Sequence, residues 1–131
     1  MKKSLLFVFM ALLLVACTQT RKAEINVIPM PLEYTLSDKT FKFDNNSKLA
    51  IIAPEESKKA LSEYIATTAL SLTGCDDAKE NILLLQIVDT VPGVTSPEGY
   101  SMTTDRKGVS IVATSNAGLF YGIQTILQCI E

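Results

Sequence analysis

The chain has 131 residues, a net charge of −2 and neither histidine nor tryptophan, with 47% hydrophobic and 20% charged residues. That length holds one modest domain, and the balance is that of a globular chain rather than a disordered one. With no cluster of Lys or Arg, nucleic acid is excluded as a partner; with no histidine, so are Ser-His and Cys-His nucleophile pairs and the commonest zinc ligand.

The first segment, MKKSLLFVFMALLLVAC, places Lys2 and Lys3 before an apolar run over residues 5–16. A spanning helix needs about 20 apolar residues, so this run is short for a crossing and has the layout of an export signal. LVAC, residues 14–17, resembles a bacterial lipobox, which makes Cys17 the expected lipid-attachment site. Residues 1–16 are therefore expected to be a lipoprotein signal peptide and residues 17–24 a polar tether. The expected product is exported and anchored in the periplasm or at the outer membrane by its lipid. Losing Lys2 and Lys3 leaves ten basic against fourteen acidic residues, a charge that favours solubility and points to no substrate.

Residues 25–131 are expected to form the folded domain. Its opening run, residues 25–28, is short and stops at Pro29 and Pro31, so it reads as an edge strand or a lead-in. Residues 33–36 and 40–43 alternate as half-buried strands do, around a turn at residues 37–39. KLAII, residues 48–52, is a further strand. A helix is expected across residues 53–74, with Pro54 in its first turn, Glu55 and Glu56 at its positive end and Gly74 after its last turn. Leu61, Ile65, Thr68 and Leu72 would be its buried stripe. NILLLQIV, residues 81–88, is apolar at consecutive positions and predicts an inner strand covered on both faces. A turn-rich loop leads to a hairpin of residues 100–104 and 109–114, closed by Asp105, Arg106, Lys107 and Gly108. The fold class that follows is α+β: a mostly antiparallel or mixed sheet with two helices packed on one face.

The final helix starts at Ser115 or Asn116, both good N-caps. Leu119, Ile123, Ile126, Leu127 and Ile130 make one apolar face, while Phe120 and Tyr121 extend it and Gly118 and Gly122 leave a bare strip. No residue of residues 115–130 is charged. A helix this apolar is either sunk in its own domain or covered by something else. The reading favoured here is the second, with Gly118, Phe120, Tyr121 and Gly122 as domain-interface candidates.

Two stretches carry a family resemblance. IPMPLEYT, residues 28–35, is similar to the I-P-x-P opening of the N-terminal domain of family-20 glycoside hydrolases, the β-N-acetylhexosaminidases. EGYSMTTDRKGVSIVATSNAGLFYGIQTILQ, residues 98–128, resembles its G-x-F-Y-G-x-Q-T-x-x-Q ending. Related accessory domains occur in family-84-type hydrolases. The resemblance implies a non-catalytic domain preceding a (β/α)8 barrel, the expected partner. It also implies removal of terminal β-linked N-acetylglucosamine or N-acetylgalactosamine from glycans. The barrel's Asp-Glu pair would work with the substrate's own acetamido group, a departure from the usual two-carboxylate scheme. No metal or organic cofactor is implied. A barrel takes about 250 residues, so no catalytic residue is assigned in this sequence, and the chain alone is expected to be inactive. The competing reading is a stand-alone lipoprotein module that binds a glycan or a protein through its last helix.

Other candidates have plainer explanations. Glu55 and Glu56 suit a helix N-terminus without any catalytic role, and Asp76 with Asp77 suits a solvated turn. Cys75 and Cys129 are free to pair in an oxidising compartment, but separate thiols are the expected state.

Overall fold

The computed structural model describes residues 25–130. The expected signal peptide, Cys17 and the tether lie outside the described residues. Five strands and two helices follow one another as β1 (Lys48–Ile52), α1 (Glu55–Ala66), β2 (Thr73–Gly74), β3 (Ile82–Ile87), β4 (Tyr100–Asp105), β5 (Gly108–Ala113) and α2 (Asn116–Cys129). The strands form one mixed sheet in the order β2-β1-β3-β5-β4. Only β4 and β5 pair antiparallel; β1 is parallel to both β2 and β3, and β3 is parallel to β5. Parallel neighbours need a long crossover, which α1 and the loop after β3 make available.

Alternation decides what each strand contributes. The odd-numbered residues Leu49, Leu83, Leu85, Val109, Ile111 and Ala113 join Leu61 and Ile65 of α1 and Leu119, Ile123 and Ile126 of α2 in one core. Both helices therefore lie on one face. Side chains of this kind contribute about 1.5–3 kcal/mol each when fully buried. The even-numbered Ile82, Leu84 and Gln86 of β3 are only half-buried, which corrects the expectation of a strand covered on both faces. Among the described residues no helix covers the second face.

Helix α1 is shorter than its sequence pattern. It ends at Ala66, and Thr67 and Thr68 turn their hydroxyls onto the carbonyls of Tyr64 and Ile65, each at 2.7 Å. Such local bonds compete with helix continuation. The chain then straightens, and Gly74 becomes part of β2 on the sheet edge rather than a helix cap.

Residues 25–47 form no strand. Phe41 and Phe43 do alternate inward, meeting edge-on at 4.9 Å and packing on the core, but β1 already has β2 and β3 as neighbours and leaves no ladder position. The segment is instead tied down at its end. Ser47 is fully buried, donates to the Asn81 side-chain oxygen at 2.7 Å and accepts from the Asp44 amide at 2.8 Å. Asn81, at φ 53°, donates its side-chain amide to Asp44 at 2.9 Å. This clasp sets the register in which the Lys48 amide donates to the Asn81 carbonyl at 2.8 Å. The Asn81 amide, helped by the Asn46 backbone N–H, holds the Asp44 carboxyl below its ordinary pKa.

Candidate functional site

Helix α2 begins where Ser115 caps it: the hydroxyl accepts from the Gly118 amide at 3.3 Å and donates to the Pro97 carbonyl. Its two glycines look inward. A Cβ on Gly118 would strike the Gly99 carbonyl and come within 2.7 Å of the Ala113 Cβ. One on Gly122 would come within 2.5 Å of the Ile111 Cγ2 and 3.3 Å of the Tyr100 ring. The bare strip thus seats α2 on the domain's own β4–β5 hairpin, and the close approach once expected of an outside surface is made by the sheet. This corrects the reading of Gly118 and Gly122 as interface residues. Phe120 and Tyr121 point the other way and stay 39% and 44% exposed.

Those two rings continue into α1. Tyr64 lies 4.7 Å from Phe120 between ring centroids, and Phe120 lies 5.8 Å from Tyr121, nearly edge-on. The result is an aromatic strip, Tyr64–Phe120–Tyr121, along the outside of the helical layer.

The polar residues of α2 serve the domain itself. The Gln124 side-chain amide donates to the Tyr64 hydroxyl, tying α2 to α1. Thr125, buried, shares a 2.5 Å hydrogen bond with the Tyr100 hydroxyl of β4. Gln128 grips the N-terminal segment at both backbone groups of Ile28: its Oε1 accepts from the Ile28 amide at 2.9 Å and its Nε2 donates to the Ile28 carbonyl at 3.1 Å. One turn of helix therefore fastens α1, β4 and the N-terminal segment. The sequence shows that the polar residues of this apolar helix carry no charge, but not who their partners are. The signal was there: buried polar groups need partners, and tyrosine hydroxyls at residues 64 and 100 were available to supply them.

No side-chain polar atom buried among the described residues lacks a partner. A shallow hollow of about 220 Å³ is lined by Ala50, Ile52, Lys58 and Asp76. It is smaller than ordinary ligand pockets of about 300–1,000 Å³, and Asp76 is the one carboxylate on its wall. Glu55 accepts from Lys58 at 2.8 Å on the exposed first turn of α1, a surface pair rather than an acid poised for catalysis. Among the described residues no three His, Cys, Asp or Glu side chains gather as a metal site. Cys75 is half-buried, Cys129 is exposed, and both are free thiols.

The family profile described as "Glycosyl hydrolase family 20, domain 2" matches residues 24–131. A "Beta-hexosaminidase" of Porphyromonas gingivalis (strain ATCC BAA-308 / W83) is 31% identical over 130 residues, covering 89% of this chain and 16% of that protein. The chain thus spans about a sixth of the length of this curated relative. On these grounds the chain belongs to glycosyl hydrolase family 20, as that family's domain 2.

Proposed function

We propose that this chain is the non-catalytic accessory domain of a β-N-acetylhexosaminidase, and that it seats the catalytic domain on the outside of its helical layer. The observation that carries the reading is the division of labour on α2. Gln124, Thr125 and Gln128 are turned to partners inside the domain, while Phe120 and Tyr121 remain bare beside Tyr64. A contiguous apolar patch on a soluble domain marks an interaction surface rather than ordinary scatter. The catalytic domain is a (β/α)8 barrel that removes terminal β-linked N-acetylglucosamine or N-acetylgalactosamine through its own Asp-Glu pair. In this division the present residues hold and orient the barrel and take no part in proton transfer.

Turnover of a chromogenic N-acetylhexosaminide by the full-length polypeptide, and none by residues 25–131 alone, is the expected result. Turnover by residues 25–131 above a heat-killed control overturns the assignment.

The same reading includes export and a lipid anchor. Lys2 and Lys3 before a short apolar run, with LVAC at its end, support it. Cys17→Ser is expected to move the protein from the membrane fraction to the soluble fraction, because the thiol that accepts the lipid is gone. Unchanged membrane association in that variant refutes the lipid assignment.

A further inference from the structure

The N-terminal segment carries a pattern that the domain itself does not use. From residue 28 to residue 36 every second side chain is large and apolar: Ile28, Met30, Leu32, Tyr34 and Leu36. All five are exposed, Leu32 completely. Val27 is buried at 2% exposure and its neighbour Ile28 stands out at 84%, because Gln128 holds the Ile28 backbone against the end of α2. The chain then bends at residues 28–29 and 32–33 and leaves residues 28–30 and 32–36 exposed, away from the domain's core.

We propose that residues 28–36 are the second strip of the docking surface and lie against the catalytic domain of the same polypeptide, fastened by Gln128. This rests on the proposed role of the helical layer and extends it. Three observations favour that occupant. Gln128 lies on the helix line Phe120–Gln124–Gln128, spaced four residues apart, so the strip starts where the aromatic face ends and continues it. In the Porphyromonas relative the matched segment is only 16% of the protein, so most of that polypeptide lies outside this domain and is available to cover it. The strip also meets its partner through side chains, not as an added strand. Pro29 and Pro31 remove two backbone donors, which weakens edge-to-edge pairing with a second copy.

Hydrogen exchange on the full-length polypeptide tests this. Residues 28–36 have no ladder in this domain, so only an outside cover slows the amides of residues 30 and 32–36. They are expected to exchange at least tenfold more slowly than free-chain rates, at any protein concentration and without membranes. Leu32→Glu, a change at a side chain exposed in this domain, is expected to return them to free-chain rates while the amides of β3 and β5 stay slow. Free-chain exchange in the unaltered protein overturns the proposal, and so does slow exchange that survives Leu32→Glu. Protection seen only on raising the protein concentration, or only with phosphatidylglycerol vesicles, also overturns it, in favour of a second copy or a lipid surface. Failure here with a destabilising effect of Tyr121→Glu in the full-length protein leaves the helical-layer reading standing. Slow exchange lost on Leu32→Glu, with no effect of Tyr121→Glu, removes that reading instead.

Discussion

Residues 48–130 and residues 25–47 start from similar sequence patterns and end differently. In the first region, alternating Leu83, Leu85, Val109 and Ile111 point into a core shared with both helices. In the second, alternating Met30, Leu32, Tyr34 and Leu36 point into solvent. What separates them is neighbours. β3 has β1 and β5 on either side, whereas residues 28–36 have one anchor, the Gln128 amide. Periodicity fixes which side chains share a face; a ladder and a covering layer decide whether that face is buried.

Helix α2 makes the same comparison within a single turn, since Gly122 faces the sheet and Tyr121 faces out. Gly122→Leu should produce the largest effect. Its side chain would drive into Ile111 and Tyr100, and overpacking of this kind costs about 1–3 kcal/mol. Urea melts of the chain should show this loss in full; a melt unchanged from the parent would mean the glycine does not rest on the sheet.

A smaller loss is expected from Tyr100→Phe. It leaves the Thr125 hydroxyl buried without its 2.5 Å partner, a cost of about 1 kcal/mol or somewhat more. Tyr100→Phe combined with Thr125→Val should recover part of it, because an unmade bond between two apolar groups costs less than one orphaned hydroxyl. Non-recovery in the double variant would show that the hydrogen bond is not the source.

The smallest effect concerns the clasp before β1. Asp44 titrates below its ordinary value because the Asn81 amide donates to its carboxylate. A depressed folded pKa favours the ionised folded state, so this contribution is present above about pH 4 and is lost as pH falls through the folded pKa. Asp44 is exposed, so the change is modest. Comparing urea midpoints at pH 5 and pH 3, the parent should lose more than Asp44→Asn; equal losses would remove the clasp from the pH response.

Much of the fold was legible. The strand at residues 48–52, the inner strand, the hairpin and the Ser115 cap all follow from local chemistry that tertiary packing reinforces. What failed, failed for lack of partners. Residues 40–43 alternate in burial and residues 33–36 do not, and neither stretch finds a vacant ladder beside β1. The first helix stops early because Thr67 and Thr68 bond their own backbone, a choice that an apolar stripe does not reveal. Gly118 and Gly122 announced a close approach without saying by what. The outward pair, Phe120 and Tyr121, was readable because no charge lies beside it, and Gln124, Thr125 and Gln128 became interpretable only once Tyr64, Tyr100 and Ile28 stood next to them.

The claim that α2 has an inner face for its own sheet and an outer face for another domain is tested most directly by Tyr121→Glu, compared in residues 25–131 and in the full-length polypeptide. Within the domain, Tyr121 meets Phe120 edge-on and is 44% exposed, and substitutions at such surface positions change stability by about 0.5 kcal/mol or less. The account predicts a urea midpoint near that of the parent for residues 25–131 and a clearly lowered midpoint for this domain within the full-length protein. Equal losses in both, or no loss in either, would contradict it.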